Sequence, residues 1–101
     1  MSVPASKQPS DGTVMTREFT LMNKLGLHAR PAARFVRAAS AYKAEVVVEK
    51  DGEEVNGKSI MGLMMLAAGC GSRLRVTATG ADADRLLDEI EKLIARQFDE
   101  E

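Results

Sequence analysis

Residues 45–59 read Glu45-Val46-Val47-Val48-Glu49-Lys50-Asp51-Gly52-Glu53-Glu54-Val55-Asn56-Gly57-Lys58-Ser59, and two incompatible folds can be written on them. In the first, Glu45–Lys50 is a strand with Val46 and Val48 on one side, Asp51-Gly52 is a two-residue turn, and Glu53–Asn56 returns antiparallel. Aspartate and glycine both tolerate the positive φ that a type I′ turn demands. In the second, Gly52 opens a GxxxxGK[ST] pattern that closes on Lys58-Ser59, between a strand and a helix as a nucleotide-binding P-loop would be. The chemistry decides against the second. Glu53 and Glu54 would face the phosphates they are meant to cradle, and no apolar strand ending in a Mg²⁺-binding aspartate follows. The hairpin stands, and with it an antiparallel sheet.

Toward the N-terminus, Thr16–Met22 alternates as a strand does, with Phe19 and Leu21 as the inward pair. Gly26 marks a turn. A helix follows from about Arg30 to Tyr42, with Pro31 in its first turn, where a missing N–H costs little, and Ala32, Phe35, Val36, Ala39 and Tyr42 as its apolar stripe. Residues 1–14, with Pro4, Pro9 and several serines, read as a flexible tail ahead of a single domain over 15–101.

Toward the C-terminus, Asn56-Gly57 is a second turn and Ser59–Ala68 a short helix. Arg73–Thr79 alternates again, with Leu74, Val76 and Ala78 inward. Asp82 is placed to N-cap a helix running to about Phe98, whose buried face is Leu86, Leu87, Ile90, Leu93, Ile94 and Phe98. Asp88 and Lys92 are spaced to pair on that helix, and Asp99 to Glu101 should fray. Strand, helix, strand, strand, helix, strand, helix is the order of a two-layer α+β domain.

Composition narrows the function classes. The 101 residues carry a net charge of −1, so nucleic acid or an anionic membrane gains no global attraction. Phe19, Phe35 and Phe98 read as core and Tyr42 is the one tyrosine, which leaves no stacking platform for bases. No apolar run approaches the length of a membrane span and no apolar leader opens the chain, so a cytoplasmic protein is expected. One histidine and one cysteine cannot build a usual zinc site, and no metal or cofactor is expected. Cys70, between two glycines, has no second histidine to act as its base and reads as a lightly exposed thiol.

The chemistry concentrates at Gly26-Leu27-His28-Ala29-Arg30-Pro31, a strand-to-helix junction holding the only histidine. A helix start offers unpaired backbone N–H groups and the positive end of the dipole, which suit phosphate and favour a neutral imidazole. Arg30 adds a guanidinium able to hold phosphate oxygens. These are the local requirements of a transient phosphohistidine, although a lone histidine by itself more often only caps a helix or sits on the surface.

Three further features bear on partners. The helix Ser59-Ile60-Met61-Gly62-Leu63-Met64-Met65-Leu66-Ala67-Ala68 is apolar all round. So small a domain cannot bury every side of it, so Ile60, Met61 and Met64 are expected at the surface as an adaptable docking patch, with Leu63, Leu66 and Ala67 in the core. Ser59 reads as the N-cap of that helix; a phosphate there would add charge beside the patch. Arg34 and Arg37 lie off the apolar stripe of the first helix and could steer acidic partner surfaces toward His28.

Two long segments, Gly26-Leu27-His28-Ala29-Arg30-Pro31-Ala32 and Asn56-Gly57-Lys58-Ser59-Ile60-Met61-Gly62-Leu63-Met64, resemble in order and spacing the two signatures of the HPr family, the histidine-containing phosphocarriers of the phosphoenolpyruvate-dependent phosphotransferase system. The resemblance runs from about Thr16 to Phe98. It implies an open-faced β-sandwich, a four-stranded antiparallel sheet with three helices on one face. It implies that His28 accepts a phosphoryl group on Nδ1, the pros nitrogen, from enzyme I and hands it to an IIA-type domain, with Arg30 steadying the phosphate. Ser59 looks like the serine that HPr kinase/phosphorylase modifies, and Ile60, Met61 and Met64 match the docking patch. A monomeric carrier of phosphate for sugar transport, itself a substrate rather than an enzyme, is the expected role. A nitrogen-branch regulatory carrier and a docking module controlled at Ser59 are the alternatives. Two departures stand out: Leu25 occupies a position where many members carry a small polar residue, and residues 1–14 have no counterpart in typical members.

Overall fold

Asp51 and Gly52 have φ of 52° and 87°, so the two-residue turn forms as its chemistry requires, and it joins strands at Glu45–Lys50 and Glu53–Asn56 in the register Val48↔Val55 and Lys50↔Glu53. In the computed structural model, which describes residues 12–100, these are β2 and β3 of the series β1 (Val14–Thr20), α1 (Ala29–Ser40), β2, β3, α2 (Ile60–Met65), β4 (Arg73–Thr79) and α3 (Ala83–Ala95), with a 3₁₀ turn at Gln97–Asp99. The four strands stand in the order β1-β4-β2-β3, and every pairing is antiparallel. The strand after Lys58-Ser59 is therefore not the parallel neighbour a P-loop would need.

One face of the sheet is dry. Val46, Val48, Leu74, Val76 and Ala78 are at most 3% exposed and join Ala32, Phe35 and Ala39 of α1, Leu63 of α2, and Leu86, Leu87 and Ile90 of α3 in one core. The other face is polar: Thr16 and Thr77 share a hydroxyl hydrogen bond, and Glu18 meets Arg73 and Arg75. Such exposed ion pairs add little stability; the one-sided core holds the fold.

Several boundaries shift for physical reasons. The first strand runs over Val14–Thr20, not Thr16–Met22, because its ladder with β4 starts at Val14↔Thr79 and ends at Thr20↔Arg73. Its parity is as expected, and Leu21 stays fully buried just beyond it. Residues 1–11 of the expected tail, and Glu101, lie outside the described residues. α2 is shorter than Ser59–Ala68 because Ala67 turns to a φ of 51°, and the Ala68 carbonyl accepts the N–H of Leu27 at 2.8 Å instead of continuing the helix. Leu63 and Leu66 are buried, but the same turn puts Ala67 at the surface.

The last helix departs from expectation at both ends. Asp82 makes no side-chain cap on it; its carboxylate accepts the backbone N–H groups of Lys43 and Ala44, each at 2.9 Å, and so ties the entry of β2 to the entry of α3. Asp88 takes Arg17 as its partner at 2.8 Å rather than Lys92, since Arg17 lies on the core-facing side of edge strand β1, within reach of α3. The helix stops at Ala95. Gln97, Phe98 and Asp99 all adopt positive φ, 54°, 57° and 61°, and this reversal buries Phe98 completely. Glu100 does not fray: its side chain is 17% exposed and faces His28.

Candidate functional site

His28 is the N-cap of α1, with extended backbone at φ −76° and ψ −172°. Its carbonyl accepts the N–H of Ala32 at 3.0 Å, the first hydrogen bond of the helix. Its imidazole makes no cap bond and projects away. In the first turn Pro31 has no N–H to offer, so the amides that an anion would meet are those of Ala29 and Arg30. No acidic residue stands in that turn.

The approach to His28 is fixed by Gly26. At a φ of 65° it bends the loop so closely onto the chain after α2 that a Cβ would lie 2.1 Å from the Ala68 carbonyl oxygen. The Leu27 N–H to Ala68 hydrogen bond seals this contact one residue before the histidine. Asn23 reinforces it from within, donating from Nδ2 to the Gly26 carbonyl at 2.7 Å.

A cleft of about 450 Å³ opens beside the ring, lined by Lys24, Leu25, His28, Arg30, Arg34, Asp99 and Glu100. His28 Nε2 lies 3.2 Å from Glu100 Oε1, and Asn23 Nδ2 lies 3.4 Å from the same oxygen. Burial is the largest single influence on the Glu100 carboxyl and pushes its pKa up. Hydrogen bonds from His28 and Asn23, with the positive charge of His28 and Arg30, together outweigh it and hold the group below the ordinary glutamate value. Glu100 is thus an ionised acceptor at neutral pH, and Nε2 must carry the proton of their hydrogen bond. In the neutral ring that leaves the lone pair on Nδ1.

Arg30 is exposed at this rim. Arg34 is half-buried and donates to the Phe98 carbonyl, so it fastens the C-terminal reversal as well as lining the cleft; Arg37 is exposed farther along α1. Ser59 caps α2, its hydroxyl accepting the Gly62 N–H at 3.0 Å. Ile60, Met61 and Met64 are 41%, 74% and 44% exposed, and Met65 is exposed beside them. Met22 and Leu25 add two more exposed apolar side chains from the loop before His28. Among the described residues no cluster of His, Cys, Asp or Glu could hold a metal ion, and Cys70 is an exposed free thiol.

Sequence reasoning missed Asn23 and Glu100. Asn23 carried a signal, since it continues the inward alternation of Phe19 and Leu21 and so had to be buried. Glu100 carried none: it lies past the last helical repeat, and only the reversal at Gln97–Asp99 brings it to the site.

Comparison with known proteins points the same way as this geometry. A family model described as "PTS HPr component phosphorylation site" matches residues 15–96. The phosphocarrier protein HPr of Treponema pallidum is 42% identical over 88 residues, spanning 87% of this chain and all of that one. The phosphocarrier protein NPr of Shewanella violacea is 39% identical over 88 residues, 87% of this chain and 97% of its own. The crystal structure of an HPr from Thermoanaerobacter tengcongensis superposes with a TM-score of 0.83 at 41% identity, covering 86% of this chain and 98% of that one.

Proposed function

Because the chain belongs to the HPr family of phosphotransferase-system phosphocarriers, we propose that His28 takes up a phosphoryl group on Nδ1 from phospho-enzyme I and passes it to IIA-type domains. In each step one P–N bond breaks on the donor histidine and one forms on the acceptor. Uptake at a bare Nδ1 displaces no proton, because the ring proton stays on Nε2. Arg30 and the amides of Ala29 and Arg30 hold the phosphoryl oxygens, and positioning and charge stabilisation carry the transfer.

The observation that carries this reading is the His28–Glu100 contact, which leaves Nδ1 as the free nitrogen at the start of α1. The exposed Ile60, Met61 and Met64 form the docking patch, with Met65 at its edge and Arg34 and Arg37 as steering cations. Ser59 is the regulatory site for an HPr kinase/phosphorylase; a phosphate on its Oγ disturbs the bond that caps α2 and adds charge beside the patch. We place the carrier in the cytoplasm as a monomer, its phosphocarrier domain opening with β1 at Val14, one residue before the expected start at Met15. Among the described residues no helix is long and apolar enough to cross a membrane.

The test is intact mass after incubation with enzyme I, Mg²⁺ and phosphoenolpyruvate. Wild type gains one acid-labile phosphate and His28→Ala gains none; phosphate retained on His28→Ala overturns the assignment. The similarity to an NPr favours a nitrogen-branch carrier as the second reading. Discharge of the phosphorylated protein to a nitrogen-type but not a sugar-type IIA domain would select it.

A further inference from the structure

Asn23 is the one fully buried polar or charged residue among those described, and it lies in the loop from β1 to α1. Its Nδ2 has two acceptors, the Gly26 carbonyl at 2.7 Å and Glu100 Oε1 at 3.4 Å. These fix the amide orientation, because the flipped amide would set Oδ1 against a carbonyl and a carboxylate. Oδ1 is buried with no hydrogen-bond partner among the described residues. What Nδ2 does accounts for an amide at this position.

The two acceptors matter because of where they sit. Gly26 precedes His28 by two residues and sets the backbone from which the imidazole hangs. Glu100 Oε1 is the oxygen that accepts from His28 Nε2. One amide therefore controls both the root of the ring and the contact at its far nitrogen. We propose that Asn23 is a positioning residue for phosphoryl transfer. It does not touch the phosphoryl group; it holds the loop and the Glu100 carboxylate so that His28 stays oriented, with Nε2 protonated and Nδ1 open. The proposal rests on His28 being the acceptor. When the new P–N bond forms at Nδ1, positive charge develops on a ring that keeps its Nε2 proton, and the carboxylate steadied by Asn23 is in place to offset it.

The test uses full-length wild type, Asn23→Ala, Glu100→Ala and the double variant, each with ¹⁵N-labelled histidine. Initial rates of phosphoryl uptake through enzyme I are read beside the ring ¹⁵N shifts, with the amide spectrum reporting the fold. Asn23→Ala is expected to slow uptake about fivefold, the share of one hydrogen bond of ordinary strength. Glu100→Ala should slow it at least as much, and the double variant by less than the product of the two single losses, because the two share the Glu100 contact while the Gly26 contact belongs to Asn23 alone. In both single variants the ring signals move from a fixed Nε2–H form toward an average of two tautomers. Losses that multiply in the double variant, a silent Glu100→Ala, or unchanged ring shifts in Asn23→Ala each overturn the proposal. Should Asn23→Ala fail to fold, Asn23→Ser keeps a donor near the loop backbone that is one atom too short for Glu100. It is expected to lose the ring signature, and retention of that signature overturns the proposal. If wild type takes up no phosphate, the His28 assignment fails, and the ring shifts still decide whether Asn23 orients the imidazole.

Discussion

Glu100 Oε1 stands 3.2 Å from His28 Nε2 although 72 positions separate the two residues. Three things close that gap: the left-handed backbone at Gln97, Phe98 and Asp99, the full burial of Phe98, and the hydrogen bond from Arg34 to the Phe98 carbonyl. The end of the last helix thereby becomes one wall of the cleft at the start of the first.

Acid should open that wall. The Glu100 carboxyl titrates below its ordinary value of 4.5, burial pushing up and the His28 and Asn23 hydrogen bonds with neighbouring positive charge pulling down harder. A depressed folded pKa gives stabilisation that is present above the unfolded value and is lost as pH falls from about 4.5 through the lower folded one. Amide signals of Gln97 to Glu100 should shift and exchange faster across that range, before the sheet amides do; NMR-detected hydrogen exchange checks this.

Phe98→Ala removes a fully buried ring from the point where the chain reverses. The expected cost is roughly 3–5 kcal/mol in urea unfolding. The surviving folded fraction should also show a freer Glu100, with its carboxyl titrating closer to the ordinary value.

Gly26→Ala combines two faults. Its φ of 65° is left-handed, and the new Cβ would meet the backbone oxygen of Ala68 at 2.1 Å. Strain and overpacking together should destabilise by roughly 2–4 kcal/mol. Phosphoryl uptake should fall further than stability alone explains, because the displaced loop carries His28; rates measured well below the unfolding transition separate the two.

Asp82→Ala leaves the N–H groups of Lys43 and Ala44 without their acceptor. Those two amides should exchange faster and the Tm should fall by several degrees, with phosphoryl uptake unchanged. The Asp82 carboxyl is held below 3.8, first by the Lys43 N–H with burial opposing, so the stabilisation from this tie is present above about 3.8 and is lost as pH falls through the lower folded value.

The strands, the hairpin and the core stripes were legible because each rests on a short-range rule. Alternation puts Val46, Val48, Leu74, Val76 and Ala78 inward, and Asp51-Gly52 has a turn chemistry of its own. The ends of helices were not legible in the same way. Asp82 looks like an N-cap in sequence, yet its oxygens go to residues about 40 positions back, where two N–H groups at the head of β2 compete for them. α2 stops early because Leu27, far upstream, takes the carbonyl of Ala68. His28, Arg30 and Ser59 could be named from local motifs. Asn23 could be read only as far as its burial, and Glu100 not at all, since their meeting depends on a left-handed reversal at Gln97, Phe98 and Asp99, none of them glycine.

The reversal also decides where this molecule can be handled. Any polypeptide joined beyond Glu100 follows directly on the residue whose side chain meets the His28 ring, so a C-terminal tag, fluorophore or surface linker is attached next to the cleft. Val14 opens β1 at the end away from the loop that carries His28, about 20 Å along the strand. The N-terminal end of β1 is therefore the remoter point of attachment, and kinetic comparisons between differently tagged preparations should be read with that asymmetry in view.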